Sequence, residues 1–268
     1  MIFQLVIAAI CAAILIVFLS WLHKKGKISR LVAALCAFIL VFVGNVAYFG
    51  VIAPQHQRQA KLVAAEKRLA DMPVFRTIKV QQPELFQQLQ QEFSAALQEG
   101  MNEQQALEVL RPALSDLINQ RISYVSNAQL HSFMQISLEE MKLIRQKSAQ
   151  LCYRFLFPQI NGGINTSEVL PQALRDREMA ALDAFLLQSR GARQPMDIAR
   201  SRADLQALVS TLYGKWGSDL QTLNSPAEAG VDKSKLCDMT IDLYQSVLAL
   251  PVNQSAGVLR IILDASAD

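Results

Sequence analysis

Apolar residues run almost unbroken through the first fifty positions and then break into short periodic groups for the rest of the chain. From Leu5 to Leu22 the run LVIAAICAAILIVFLSWL is interrupted only by Ser20. With Ile2 and Phe3 added, a helix rising about 1.5 Å per residue is long enough to cross a hydrocarbon core of about 30 Å. A second run, LVAALCAFILVFVGNVAYFGVIA from Leu31 to Ala53, is at least as long. The pattern predicts two membrane-spanning helices, at about 2–22 and 31–53, joined by the loop HKKGKISR at 23–30. Trp21 and Tyr48 stand near the span ends, where amphipathic rings favour the headgroup region.

Past Pro54 the polar-rich stretch HQRQAKLVAAEKRLADM predicts a helical stalk that ends at Pro73. The following VFRTIKVQQ alternates like a strand, the only such stretch in the chain. Pro83 suits the first turn of a helix that closes at Gly100, Asn102 caps the next, and Pro112 disturbs that one before it resumes through Leu117, Ile118 and Ile122. From Asn127 to about Phe157, Leu130, Met134, Ser137, Met141, Ile144, Ser148, Leu151 and Phe155 recur at intervals of three and four. That spacing predicts one long amphipathic helix with a buried seam. PQINGGINTS, residues 158–167, reads as a loop, with Thr166 or Ser167 starting the next helix. Further helices are expected at about 167–190, 195–215, 233–250 and 255–264, with Gly191 and Gly217 at two of the ends. The expected fold class is all-α: a transmembrane hairpin at 1–54, a stalk or linker at 55–80, and a soluble, multi-helix, bundle-like domain at 81–268.

Charge distribution fixes the expected topology. Residues 1–54 hold no Asp or Glu, and Lys24, Lys25, Lys27 and Arg30 are their only fixed cations. Removing those four from the 26 Lys and Arg leaves 22 basic against 23 acidic residues, a formal charge of −1 for the remainder. A near-neutral domain with scattered charges argues against nucleic-acid binding, which needs a basic face to neutralise phosphates. Positive loops stay in the cytoplasm, so Lys24, Lys25, Lys27 and Arg30 direct the C-terminal domain outward. In a bacterial cell this means inner membrane with a periplasmic domain. Arg58, Lys61, Lys67 and Arg68 pull the other way, but long segments are translocated despite their charge. Met1 to Gln4 carry no basic side chain, so the first span is expected to be retained rather than cleaved as a signal peptide.

Candidate chemistry is sparse. Ala8 and Ala12, Ala9 and Ala13, and Ala33 and Ala37 are small residues four apart that let membrane helices approach closely, and Asn45 can hydrogen-bond across them. Neither span holds an ionisable residue, which argues against a proton or ion path through the hairpin alone. Cys11 and Cys36 fall in the spans, leaving Cys152 and Cys237 as the pair in the domain. An oxidising compartment would let them form a disulfide that contributes about 3–5 kcal/mol, while two separate buried thiols is the alternative reading. No metal-binding spacing occurs, and no cofactor is expected. His131 is the one histidine of the folded domain, with no nucleophile motif beside it. Glu139 and Glu140 are read as a solvated pair, and Arg175, Asp176, Arg177 and Glu178 as a mixed-charge surface. Gly162 and Gly163 lack the Lys and Ser/Thr of a phosphate loop. Asn165 and Asn253 head glycosylation triplets, which matter only in a eukaryotic secretory setting.

These features lead to an expected non-catalytic, membrane-anchored interaction module of the bacterial cell envelope, contacting the bilayer and an envelope protein or a second copy. A periplasmic small-ligand sensor acting through a partner and an uncharacterised hydrolase using His131 are the alternatives.

Overall fold

The computed structural model describes residues 48–263 continuously, together with scattered positions before them. Contacts divide the chain into two units, Met1–Ala64 and Ala65–Asp268. Within the first, a π-helical segment Tyr48–Ile52 leads into α1 (Ala53–Asp71), whose side chains from Gln55 to Ala64 are nearly all exposed. Ala8, Ala12, Ala33, Ala37, Asn45, Lys24, Lys27, Arg30, nearly all of the first expected span and part of the second lie outside the described residues. Lys25 is described, as a turn residue. No helix among the described residues is long and apolar enough to cross a membrane.

The second unit is all helical among its described residues. After the end of α1 come α2 (Pro73–Gln81), α3 (Pro83–Gln98), α4 (Glu103–Val109), α5 (Arg111–Arg121), α6 (Asn127–Lys147) and α7 (Ala149–Leu156). The one-turn helices α8 (Pro158–Asn161) and α9 (Thr166–Val169) follow, then α10 (Gln172–Gln188) and α11 (Ile198–Trp216). A 3₁₀ segment, Gly217–Asn224, precedes α12 (Lys233–Leu248) and α13 (Val252–Leu263). Helix α6 is the hub, packed against α7, α10, α12 and α13, while α2, α3 and α4 stack in order and α10 lies against α2.

Helix ends follow local chemistry. Asn102 makes a capping box with Gln105, closing two donors at the start of α4. Gly100 takes a positive φ of 95° after α3, which an L side chain rarely adopts. Ser126 caps α6 rather than Asn127, and Asn165 rather than Thr166 or Ser167 caps α9.

Three expectations are corrected. The strand-like stretch after Pro73 is helix α2, with Val74, Phe75 and Ile78 buried at helical spacing and Val80 left 71% exposed. No neighbouring strand is present among the described residues to take its backbone donors, and proline at the first position favours a helix start. The expected stalk is also shorter than 55–80, because Ala65, Leu69, Val74, Phe75 and Ile78 belong to the main core with Leu89, Phe93, Leu130 and Phe185. The long helix from Asn127 is two helices. Ser148 leaves helical geometry (φ −166°, ψ 134°), ending α6 and capping α7 through its hydroxyl to the Leu151 N–H. A serine hydroxyl competes for backbone donors, and here that competition breaks the helix.

Around α6 and α7 a second core cluster forms from Leu138, Met141, Ile144, Val169, Leu174 and Ile241. Within it Cys152 of α7 and Cys237 of α12 are joined as a disulfide, with Cα atoms 6.1 Å apart and both residues fully buried. Helices α11 and α13 meet at Gly257, where an added Cβ would collide with the Ser201 hydroxyl and lie 3.3 Å from Ser201 Cβ.

Two stability predictions follow from this packing. Replacing Cys152 and Cys237 by serine should lower unfolding free energy by about 2–5 kcal/mol, since the bond closes a loop of 85 residues. Denaturant titration of the oxidised, reduced and double-mutant proteins measures it. Gly257→Ala should cost about 1–3 kcal/mol through overpacking, partly recovered in Gly257→Ala/Ser201→Ala.

Candidate functional site

The most concentrated polar chemistry of the described residues is a partly buried charge cluster where five helices meet. Arg111 opens α5, immediately after the break at Leu110 that ends α4. Proline at the second position of α5 suits that restart, because its missing N–H would have no partner in the first turn. The guanidinium donates from Nε to Glu108 Oε2 of α4 at 2.7 Å. Its Nη1 and Nη2 grip both oxygens of Glu178 of α10, each at 3.0 Å. Nη2 also donates to Thr166 Oγ1 of α9 at 3.0 Å, and the Thr166 hydroxyl donates to Glu108 Oε1. The planar fork thus satisfies two carboxylates and a hydroxyl at once, a geometry that a lysine ammonium does not supply.

Glu140 of α6 completes the cluster and has no share of the fork. It is 2% exposed, and its Oε1 has no hydrogen-bond partner. Burial, together with repulsion from Glu178, pushes its carboxyl far above the usual range, to about 9, against the opposing pull of Arg111. For Arg111, burial works against the charge, but attraction to Glu178 and Glu108 outweighs it and raises its pKa above the ordinary arginine value. Three carboxyl groups therefore surround one cation.

This site corrects the sequence reading of Glu140 as solvated and of Glu178 as part of a surface. Glu139 is partly exposed and pairs with Arg177, as a surface charge does. Glu140 points inward because α6 has helices on several sides and buries more than the single seam the periodicity marks. The break before Pro112 was the one legible hint of the site, since it places Arg111 at a helix start.

His131 and the alternative clefts have simpler roles. His131 Nδ1 and Ser255 Oγ share a hydrogen bond at 3.0 Å, but Ser255 has no exposed surface and so presents no nucleophile to a substrate. The pair satisfies a buried hydroxyl between α6 and α13. A small cleft of about 210 Å³ lies at the start of α6, α11 and α13, where Asn127, Asp197, Arg200, Asp204 and Asn253 contribute polar groups. Its volume is below the roughly 300 Å³ at which pockets for small organic ligands begin. Arg260 at its edge is committed to structure, donating to Ile122 O, Val125 O and Asn127 Oδ1 and so tying α13 to the turn between α5 and α6. No group of three or more His, Cys, Asp or Glu among the described residues is arranged to hold a metal ion.

Compared with known proteins, the chain matches no family model, no curated protein and no solved structure.

Removing the cation should cost more than removing any one contact, because Glu108 and Glu178 would stay behind without their partner. The Arg111 side chain is one-third exposed, so the loss for Arg111→Met should be about 2–4 kcal/mol, toward the lower end for a buried ion pair. Arg111→Lys should recover only part of it, read by urea unfolding of the three proteins side by side.

Proposed function

We propose that this chain is a membrane-anchored helical interaction module of the bacterial cell envelope. In this reading an N-terminal two-helix hairpin, with spans at about 2–22 and 31–53, fixes the protein in the inner membrane with the helical domain on the periplasmic side. The observation that carries it is the buried pairing of Cys152 with Cys237, which suits an oxidising compartment and a structural rather than a catalytic thiol pair.

Support for the hairpin comes from the described positions of the second expected span. Leu35, Phe38, Phe42 and Val46 are helical and 60%, 70%, 60% and 57% exposed, and Phe49 in the π-helical turn is 67% exposed. Side chains of this size, closely spaced and uncovered by protein, are what a lipid-facing helix presents. An interaction role rests on the character of the domain. Its densest polar cluster is closed by its own ion pairs, its Ser–His pair is buried, and its surface retains apolar side chains such as Leu187, Val209 and Tyr213. The cleft beside Asn127 and Arg200 keeps a small-ligand sensor as the second reading, and its size would restrict the ligand to a compact molecule.

Thiol labelling with an impermeant reagent, in intact cells and in denatured lysate, tests the compartment. Cys152 and Cys237 should label only after denaturation and reduction, and each single serine variant should free its partner without reductant. Free thiols, protected in intact cells and labelled in denatured lysate without any reductant, would place the domain in the cytoplasm and defeat the proposal. For the interaction role, crosslinking in native membranes should yield one stoichiometric envelope partner or a defined homo-oligomer; an uncrosslinked monomer would count against it.

A further inference from the structure

We propose that Glu140 is a proton-binding latch: its buried carboxyl, which has no cation of its own, carries a proton that it shares with the Glu178 carboxylate and so fastens α6 to α10. The inference concerns the interior of the domain and stands apart from the identity of any partner.

The geometry assigns the proton by elimination. Glu178 accepts two hydrogen bonds from Arg111, and Glu108 accepts from Arg111 and from Thr166. Glu140 receives neither, is almost wholly buried, and leaves Oε1 without a donor. It stands on α6, which packs directly against α10, the helix that carries Glu178, and Glu178 is among the groups that act most strongly on it. Two carboxylates cannot hydrogen-bond one another unless one carries a proton, and the carboxyl without a cation of its own is where that proton costs least. With Glu140 neutral, the cluster holds two negative charges against one positive charge. Ionising Glu140 adds a third negative charge on a residue that is itself only 2% exposed.

The charged groups that act on Glu140 are Glu178 from α10, Arg111 from α5 and Glu108 from α4. Arg175, one turn before Glu178 on α10, has a buried Nη1 without a partner. On α6 itself, Glu139 is bonded to Arg177 and Arg145 to Asp238 of α12. Asp242 of α12 bonds Lys215, and Arg260 of α13 binds the turn after α5. Arg154 of α7 has a buried Nε without a partner and is not among the groups that act most on Glu140.

The sign of the pH effect follows. A carboxyl whose folded-state pKa lies above its unfolded value binds its proton more tightly when folded, so folding is favoured at low pH and loses that advantage as pH rises. The window runs from the ordinary carboxylate value to about 9. Across it the unfolding equilibrium constant should rise by up to tenfold per pH unit, about 1.4 kcal/mol per unit. A glutamine at this position donates a similar hydrogen bond with no proton to lose.

The test compares the full chain in detergent or nanodiscs with Glu140→Gln. Infrared spectroscopy at neutral pH should show the carbonyl stretch of a protonated carboxylic acid in the parent protein, absent from Glu140→Gln and lost from the parent near pH 9. Chemical unfolding between pH 5 and 9 should show the parent weakening relative to Glu140→Gln. No protonated-acid band at neutral pH, a band that persists in Glu140→Gln, or parallel pH curves would each overturn the latch. Should Glu140→Gln fail to fold, Glu178→Gln gives the second reading. It removes the neighbouring negative charge and should shift titration of the Glu140 band to lower pH; an unmoved band would reject the pairing.

Discussion

One guanidinium organises the polar interior of this domain. Arg111 sits at the junction of α4 and α5 and holds Glu108, Thr166 and Glu178 from three other places in the chain. Apolar burial alone brings helices together without fixing their order or register, because it is non-directional. The planar fork adds direction: α9 and α10 must approach α4 and α5 at one offset for its four hydrogen bonds to form together. The same constraint leaves Glu140 of α6 as the carboxyl without a cation, and its neutral form is the consequence.

A second layer of restraint involves other neighbours of α6. Arg260 spans from α13 to the backbone carbonyls of Ile122 and Val125, satisfying acceptors where α5 ends and the turn to α6 begins. The disulfide links α7 to α12 within the cluster built on Leu138, Met141 and Ile144. These three devices act on different neighbours of α6. The chain carries many short helices that are marginal in isolation, and long-range fixtures supply what helix propensity does not.

Around Arg111 the polar groups are turned inward and matched to one another, with Glu140 Oε1 left unpartnered. What remains outward is a helical surface with scattered apolar side chains and, in the second expected span, a closely spaced apolar set on helical positions. The anchored interaction module proposed above rests on these two features.

Local signals in the sequence determined much of the helical punctuation. Pro83, Gly100 and Asn102 act within a turn of their own position, so their meaning survives whatever the rest of the chain does. All-helical character was legible for the same reason. The stretch after Pro73 misled because period-two alternation over a few residues carries no information about whether a partner strand exists. Ser148 misled because a hydroxyl on a buried seam is compatible with both a continuous helix and a cap. Glu140 and Glu178 were illegible as a site: they are 38 positions apart, and each follows a charged residue that does face solvent. Which carboxyl Arg111 grips, which one must take a proton, and which cysteine meets which are questions of distance between remote segments. Composition and periodicity describe only a residue's own helix, so those answers came from the tertiary structure alone.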